Sequence, residues 1–589
     1  ASPLSGPVRV VAAESASRGA RPGEGQTRID AALAADPGRE ARRRLAARGW
    51  DVAVAAGERE LLERVGRRLL VDEPLLASEV RAVELFRRSD GRIPWSDLLT
   101  AGELARRAEN LLAVGLPDSA AEMLREIPET ARDMGWELHY AEALIAAHRG
   151  AEALARLEGL GGSLRGAEAA EAEWLAARAA LDAAELRRGR RNLGRREREE
   201  MAAGARRLLA SVAARVPSGP VPAAARALLL AELVEEDEVE AVLTTARELA
   251  AEEPASYAGA SALWRLGWRR LERGDADAAL ALFGELESLF PESSLRRAAT
   301  YWTARALEQA GRAEESAEVF GEIAASRAGD FYRRQAEMRS ASPVVLGPET
   351  AVEPWPRDSR LERAELLSDL GLDRLALTEL DALGEGVEYR PRFALRARIL
   401  ARQGEPRSSI QMIRRAFPQL GTDRQYSAPP EALRLYYPLE FEEVIREQAE
   451  GQALAPALVL AMIRQESAFD AGARSSAGAR GLMQLLPSTG RELARRFGLP
   501  FHDARLGEPD FSVRLGTAYF RQVLEMFDRS EELALAGYNA GPYRIRRLWR
   551  RAGRDPEIDR FVEGLPLAET RSYVKRVILF SDSYTQLYG

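Results

Sequence analysis

No cysteine occurs in the 589 residues, which excludes disulfides, thiolate metal sites and a thiol nucleophile. The compartment stays open on that ground, since exported chains also dispense with cysteine. Histidine is almost as scarce: His139, His148 and His502 are too scattered for a histidine metal site or a Ser-His-Asp triad, so neither a metal nor a cofactor is expected. Lysine is nearly missing too, with Lys575 alone among arginines, a uniform bias that reflects composition and not the chemistry of one site. No run approaches the roughly 18 to 20 apolar residues of a membrane span. The formal net charge is -7 and no basic block is interleaved with aromatics, which excludes a nucleic-acid partner. Aromatics make up only 7%, and alternating Val, Ile, Thr and Tyr are rare, so strands are not expected.

What remains is rich in alanine, leucine, arginine and glutamate, the composition of an all-α protein. At this length one hydrophobic core does not suffice, and several domains or a repeat array are expected. The chain starts "ASPLSGPVRVVAAESASRGARPGEGQT", without Met, charged n-region or apolar h-region. A flexible segment is expected over residues 1–28, with any signal peptide already removed.

Five stretches share a glycine, a small residue five positions on and a large apolar residue four further: Gly115, Ala120, Leu124; Gly274, Ala279, Phe283; Gly311, Ser316, Phe320; Gly371, Ala376, Leu380; Gly404, Ser409, Ile413. Glycine closes one helix through a left-handed turn, the small residue lets the next helix lie close, and the large one fills the gap a turn later. Two copies are offset by 37 residues, from Gly274 to Gly311 and from Phe283 to Phe320, the period of a tetratricopeptide-like hairpin stacked into a superhelix. Trp264, Gly267, Trp268, Tyr301 and Trp302 read as core knobs between helices. The charged "ELRRGRRNLGRREREE" reads as a solvated face or exposed hairpin. Prolines 343, 348, 354 and 356 mark a boundary near 340–358, and "GTDRQYSAPPEALRLYYP" marks another over 421–438. The expected organisation is a repeat domain over 29–350, a helical linker over 351–431 and a C-terminal domain over 432–589.

In that last segment Pro456 suits a first helical turn, and Leu458, Val459, Met462 and Ile463 trace an apolar stripe. Glu466, four beyond Met462 and three beyond Ile463, continues the stripe, while Arg464 and Gln465 point elsewhere. Desolvation penalises a charged carboxylate, so Glu466 should keep its proton closer to neutral pH than a surface glutamate does. Such an acid can protonate a departing sugar oxygen; a structural glutamate satisfying backbone donors of the following loop fits the periodicity equally. Gly478 and Gly481 allow close backbone approach to an extended ligand, and Thr489 with Glu492 is spaced as a capping box. Gly541 and Pro542 end a helix carrying Tyr538 and Asn539, and Glu569 and Tyr573 share a later helix face.

Taken in order, "RQES-F", "S-AGARGLMQL-PST", "LALAGYNAGP-R" and "ETRSYVKRV" closely resemble the catalytic domain of soluble lytic transglycosylases, relatives of goose-type lysozyme. The resemblance implies an α-superhelical domain, a helical linker and a lysozyme-like domain in a periplasmic, ring-shaped enzyme, for which a monomer suffices. It implies peptidoglycan glycan strands as substrate, with other cell-wall enzymes as partners of the repeats. It also implies cleavage between N-acetylmuramic acid and N-acetylglucosamine, with Glu466 as sole acid and then base and a 1,6-anhydromuramyl product. Carried over residue by residue, Ser475, Gly481, Gln484 and Leu486 line the glycan site, Tyr538 and Asn539 meet an acetamido group, and Glu569 and Tyr573 close the far side. Asp470, the nearest other acid, reads as a turn cap. Tyr543 after "NAGP" and the Leu485-Leu486 pair depart from the family pattern and bear on subsite shape.

Overall fold

The computed structural model describes residues 22–589 apart from 35–38, 89, 161–165, 190–194, 216–219, 328, 341–350, 383–388 and 554–555. Helices dominate, and the described residues include no strand, only isolated bridges from Arg480 to Arg474 and Leu485. No described helix is long and apolar enough to cross a membrane. Residues 1–21 of the segment expected to be flexible lie outside the described residues, while Pro22–Ala34 is helical.

All five repeat glycines adopt positive φ, between 72° and 85°, where an L side chain is disfavoured. Their partners are buried without exception, from Ala120 and Leu124 to Ser409 and Ile413. The two serines add a bond that alanine cannot: Ser316 Oγ donates to Ala304 O and Ser409 Oγ to Ala397 O, each at 2.9 Å, tying the second helix of a hairpin to the first. Within the Tyr257–Glu272 and Ala276–Leu289 hairpin, a Cβ on Gly267 would sit 2.6 Å from the Phe283 ring, so the phenyl occupies the space glycine leaves. Tyr301 and Trp302 are fully buried, but Trp264 and Trp268 are only half-buried, since their ridge reaches the helix surface. Of the arginine-rich hairpin, only the ends of Gly166–Gly189 and Arg195–Arg215 are described, and the side chains of that stretch lie outside the described residues.

The chain divides into two compact units, Ala1–Arg296 and Arg297–Gly589, so the division falls inside the segment expected to be one repeat domain. Polar burial inside the second unit explains where residues 297–340 belong. Asp559, fully buried on Ile558–Glu563, accepts from Tyr301 Oη at 2.6 Å and pairs with Arg305 and Arg339, each at 3.1 Å. Glu563, also buried, accepts from Trp302 Nε1 at 3.0 Å, Tyr332 Oη at 2.9 Å and Lys575 Nζ at 2.7 Å. Two buried carboxylates are thereby satisfied by five aromatic or basic groups from residues 297–340 and by the chain's single lysine. Residues 351–358 carry no regular structure, as their prolines require, whereas the second expected boundary holds a short helix, Pro430–Tyr436.

Candidate active site

The apolar stripe from Leu458 to Ile463 is buried and packs the Pro456–Glu466 helix against the C-terminal Ala568–Tyr588 helix. Arg464, on the other side, is buried against Tyr436 and donates from Nε to Tyr436 O at 2.9 Å. Glu466 is the last helical residue, and the chain leaves it abruptly: Ala468 and Phe469 both take positive φ, 50° and 65°, without being glycine. Ser467 caps that turn, its Oγ lying 2.9 Å from Leu482 O in the glycine-rich loop. The helix end and the loop are therefore held as one piece.

Glu466 lines a cleft of about 430 Å³ together with Gln465, Ser475 and Gln484. Its carboxylate reaches the cleft surface, but protein crowds it on the other sides, and burial pushes its pKa up from 4.5 to about 7. Tyr573 Oη donates to Glu466 Oε1 at 2.7 Å, which favours the charged form and opposes the rise, while the negative charge of Glu569 adds to it. The phenol of Tyr573 is buried and itself pushed far up by desolvation and then by Glu466, so it stays a donor. Among the described residues no cluster of His, Asp and Glu could hold a metal ion.

The other sequence-predicted residues fall into distinct roles. Tyr538 donates to Met483 O at 2.7 Å, which ties the Glu531–Ala540 helix to the glycine-rich loop, and burial, then the charge of Glu466, push its phenol up. Asn539 Oδ1 accepts from Thr570 Oγ1 at 2.7 Å, joining the same helix to the one that carries Tyr573. Ser475 folds the loop tip on itself, accepting from Ala479 N at 3.0 Å. Gln484, at φ 46°, donates to Ala473 O and Gly481 O at 3.1 and 2.9 Å, so its amide nitrogen braces the loop. Glu569 is exposed one turn before Tyr573, and Leu486 is exposed outside the cleft lining.

One local expectation changes, and one gains a structural reason. Gly481 is buried, and a Cβ there would lie 1.7 Å from Leu506 O, so the protein's own backbone already requires glycine at this position. No capping box forms at Thr489 and Glu492, because the Pro487–Arg496 helix starts earlier, with Pro487 in its first turn and Leu486 as N-cap. Asp470 behaves as the turn cap that was expected: its Oδ1 accepts from Gly472 N at 2.9 Å and its Oδ2 from Arg407 at 3.0 Å. Sequence reasoning did not single out Ser467, Thr570 or the Met483 carbonyl. Thr570 lies three residues before Tyr573 on one helical face, a spacing that could have pointed to it.

Comparison with known proteins places these features in context. Residues 443–561 match the transglycosylase SLT domain family. A soluble lytic murein transglycosylase of Salmonella typhimurium is 29% identical over 310 residues, covering 49% of this chain and 44% of that protein. One of Escherichia coli is 27% identical over 301 residues with the same coverage, so the match spans under half the length of each relative. The crystal structure of the 70 kDa soluble lytic transglycosylase of Escherichia coli is 19% identical, covers 99% of this chain and 97% of its own, and superposes with a TM-score of 0.50, a likeness of fold.

Proposed function

We propose that this chain, which carries a transglycosylase SLT domain and resembles the soluble lytic murein transglycosylases, is a periplasmic lytic transglycosylase of peptidoglycan. The observation that carries the reading is the Glu466 carboxyl: it faces the cleft, is hydrogen-bonded by Tyr573, and has its pKa raised to about 7. A group with that pKa is present in both protonation states near neutrality, which is what one residue acting as acid and then as base requires.

In the proposed reaction Glu466 protonates the glycosidic oxygen between N-acetylmuramic acid and N-acetylglucosamine as that bond breaks. The muramic acetamido oxygen stabilises the anomeric carbon. Glu466, now a carboxylate, takes the proton of the C6 hydroxyl, whose oxygen bonds to C1, and a 1,6-anhydromuramyl end leaves with no water consumed. Tyr573 steadies the carboxylate in the interval, because its bond to Oε1 strengthens when Glu466 is charged. A second enzyme carboxylate has no part in this scheme, in keeping with an Asp470 held by Arg407 and the loop and a Glu569 exposed on the C-terminal helix. Ser467 holds the loop against the helix end, Tyr538 ties it to the Glu531–Ala540 helix and Gln484 braces it from within, and together they fix the cleft wall facing Glu466.

The test is mass spectrometry of soluble products from purified peptidoglycan with this chain and with Glu466→Gln. Products one water lighter than reducing muropeptides, absent with the variant, are expected. Reducing muramic ends would instead make it a muramidase, and binding without release would leave a glycan-binding scaffold.

A further inference from the structure

The hairpin of Glu362–Asp369 and Asp373–Ala382 turns at Gly371 and carries Leu366, Leu370, Leu372 and Leu375 around that turn, 45–65% exposed. Its core does not need them: Ala364, Ala376 and Leu380 pack inward with Leu395 and Ile399 of the following Tyr389–Arg402 helix. The other repeat copies show that the turn does not need them either. At the same places around Gly274 stand Arg269, Arg273, Asp275 and Ala278, and around Gly404 stand Ile399, Gln403, Glu405 and Ser408. Of the five copies this one alone has leucine at all four. Single exposed leucines are ordinary on a protein surface, but a group gathered at one turn marks a contact surface.

One counterpart shows what such a position meets when it is covered. Ile399, which stands to Gly404 as Leu366 stands to Gly371, is fully buried in the core shared with the 362–382 hairpin. A preceding hairpin therefore closes over this position in the Gly404 copy, whereas residues 351–358, ahead of the Leu366 hairpin, carry no regular structure. Among the described residues the leucine face is thus the open end of a helical stack, and the element that completes such a stack is a helix.

Charge and size narrow the occupant. Glu362 and Asp369 stand four and three residues from Leu366 on one helix face, with Glu365 beside them, and none of the three forms an ion pair among the described residues. Arg363 is taken by Glu379 at 3.2 Å and Asp373 by Arg402 at 2.6 Å, which leaves Arg374 as the one unpaired cation on these two helices. That excess of carboxylate repels an anionic lipid surface and attracts a basic segment. Four leucines fall far short of the roughly 20–30 residues a side of a stable dimer interface, whereas one amphipathic helix docks through about four anchors. We propose that this turn is the docking site for a basic amphipathic helix of a partner protein, which seats its apolar face on the four leucines and sets its lysines or arginines against Glu362, Glu365 and Asp369. The site is separate from the Glu466 cleft, which none of the four leucines lines.

The test uses the whole chain and two fluorescein-labelled peptides of identical leucine and lysine composition, one with its leucines on a single helical face and one scrambled, with binding read by fluorescence anisotropy. The amphipathic peptide should bind the unaltered chain in preference to the scrambled one. Leu366→Ser/Leu370→Ser should weaken that binding about tenfold or more without lowering the thermal midpoint, since both side chains are exposed. Glu365→Lys/Asp369→Lys should weaken the same peptide and strengthen a version with glutamate in place of lysine, a reciprocal exchange that a misfolded turn cannot give. Equal affinity for the scrambled peptide, or no effect of either variant, would overturn the site. Leucine-dependent pelleting with vesicles of phosphatidylethanolamine and phosphatidylglycerol, in the absence of peptide binding, would assign the patch to a lipid surface and overturn the partner helix. A dimer in sedimentation velocity that disappears in Leu366→Ser/Leu370→Ser would assign it to a second copy and overturn it equally.

Discussion

Replacing Tyr573 by phenylalanine removes one hydrogen bond and leaves the ring in place. The bond, 2.7 Å from Oη to Glu466 Oε1, favours the carboxylate over the acid, so its loss moves the Glu466 pKa upward from about 7. A hydrogen bond to a charged acceptor is worth about 1.5–3 kcal/mol and one to a neutral acceptor about 1 kcal/mol. The difference, about 1–2 kcal/mol, corresponds to about one pH unit at about 1.4 kcal/mol per unit. Because Glu466 must carry a proton to begin the proposed reaction, kcat/KM for peptidoglycan should fall above about pH 7 in the unaltered chain. In Tyr573→Phe that fall should begin about one unit higher, even if the maximal rate drops. The infrared band of the protonated carboxyl, taken as a difference against Glu466→Gln, reads the same titration without substrate and should move with it. A titration that stays in place or moves to lower pH would refute the assignment of Tyr573 as the group that stabilises the Glu466 anion.

Glu466→Gln should stabilise the protein in a pH-dependent way. The native state binds the Glu466 proton more tightly than the unfolded chain, so the glutamate's contribution is neutral below about 4.5, becomes unfavourable as pH rises to about 7, and is constant beyond; the rise amounts to about 3 kcal/mol. Urea midpoints of both chains between pH 4 and 8 check this, and a pH-independent difference would contradict it. Gly481→Ala, which drives a Cβ into Leu506 O, should cost at least about 3 kcal/mol, whereas Gly478→Ala, with open space at φ 84°, should cost about 1–2 kcal/mol for the left-handed backbone; thermal midpoints separate the two. Glu563→Gln leaves Lys575 buried without its counter-charge and should cost about 3–5 kcal/mol. Faster hydrogen exchange in the Arg296–Gln309 and Phe331–Glu337 helices would locate that loss, and unchanged protection there would contradict it.

The sequence by itself determined most of what depends on local spacing. Each repeat glycine was legible because a left-handed turn admits few other residues, and the small and large residues that follow occupy fixed faces of the next helix. Glu466 was legible as core-facing because it continues a stripe of period 3.6, and the order of the four motifs named the family. Periodicity also misled where a competing local feature decided: Pro487 starts its helix two residues before Thr489, which puts the capping-box spacing inside the helix.

Tertiary structure decided whatever joins residues distant along the chain. The bond from Tyr573 to Glu466 crosses 107 positions, the clasp of Tyr301 on Asp559 crosses 258, and no local pattern encodes either. The sequence shows only that Gly481 lacks a Cβ; the structure shows that Leu506 O fills the space. The physical reason is common to all of these: a helix face follows from residues three and four apart, whereas the desolvation and charge that set a side chain's chemistry come from whichever other helices pack against it.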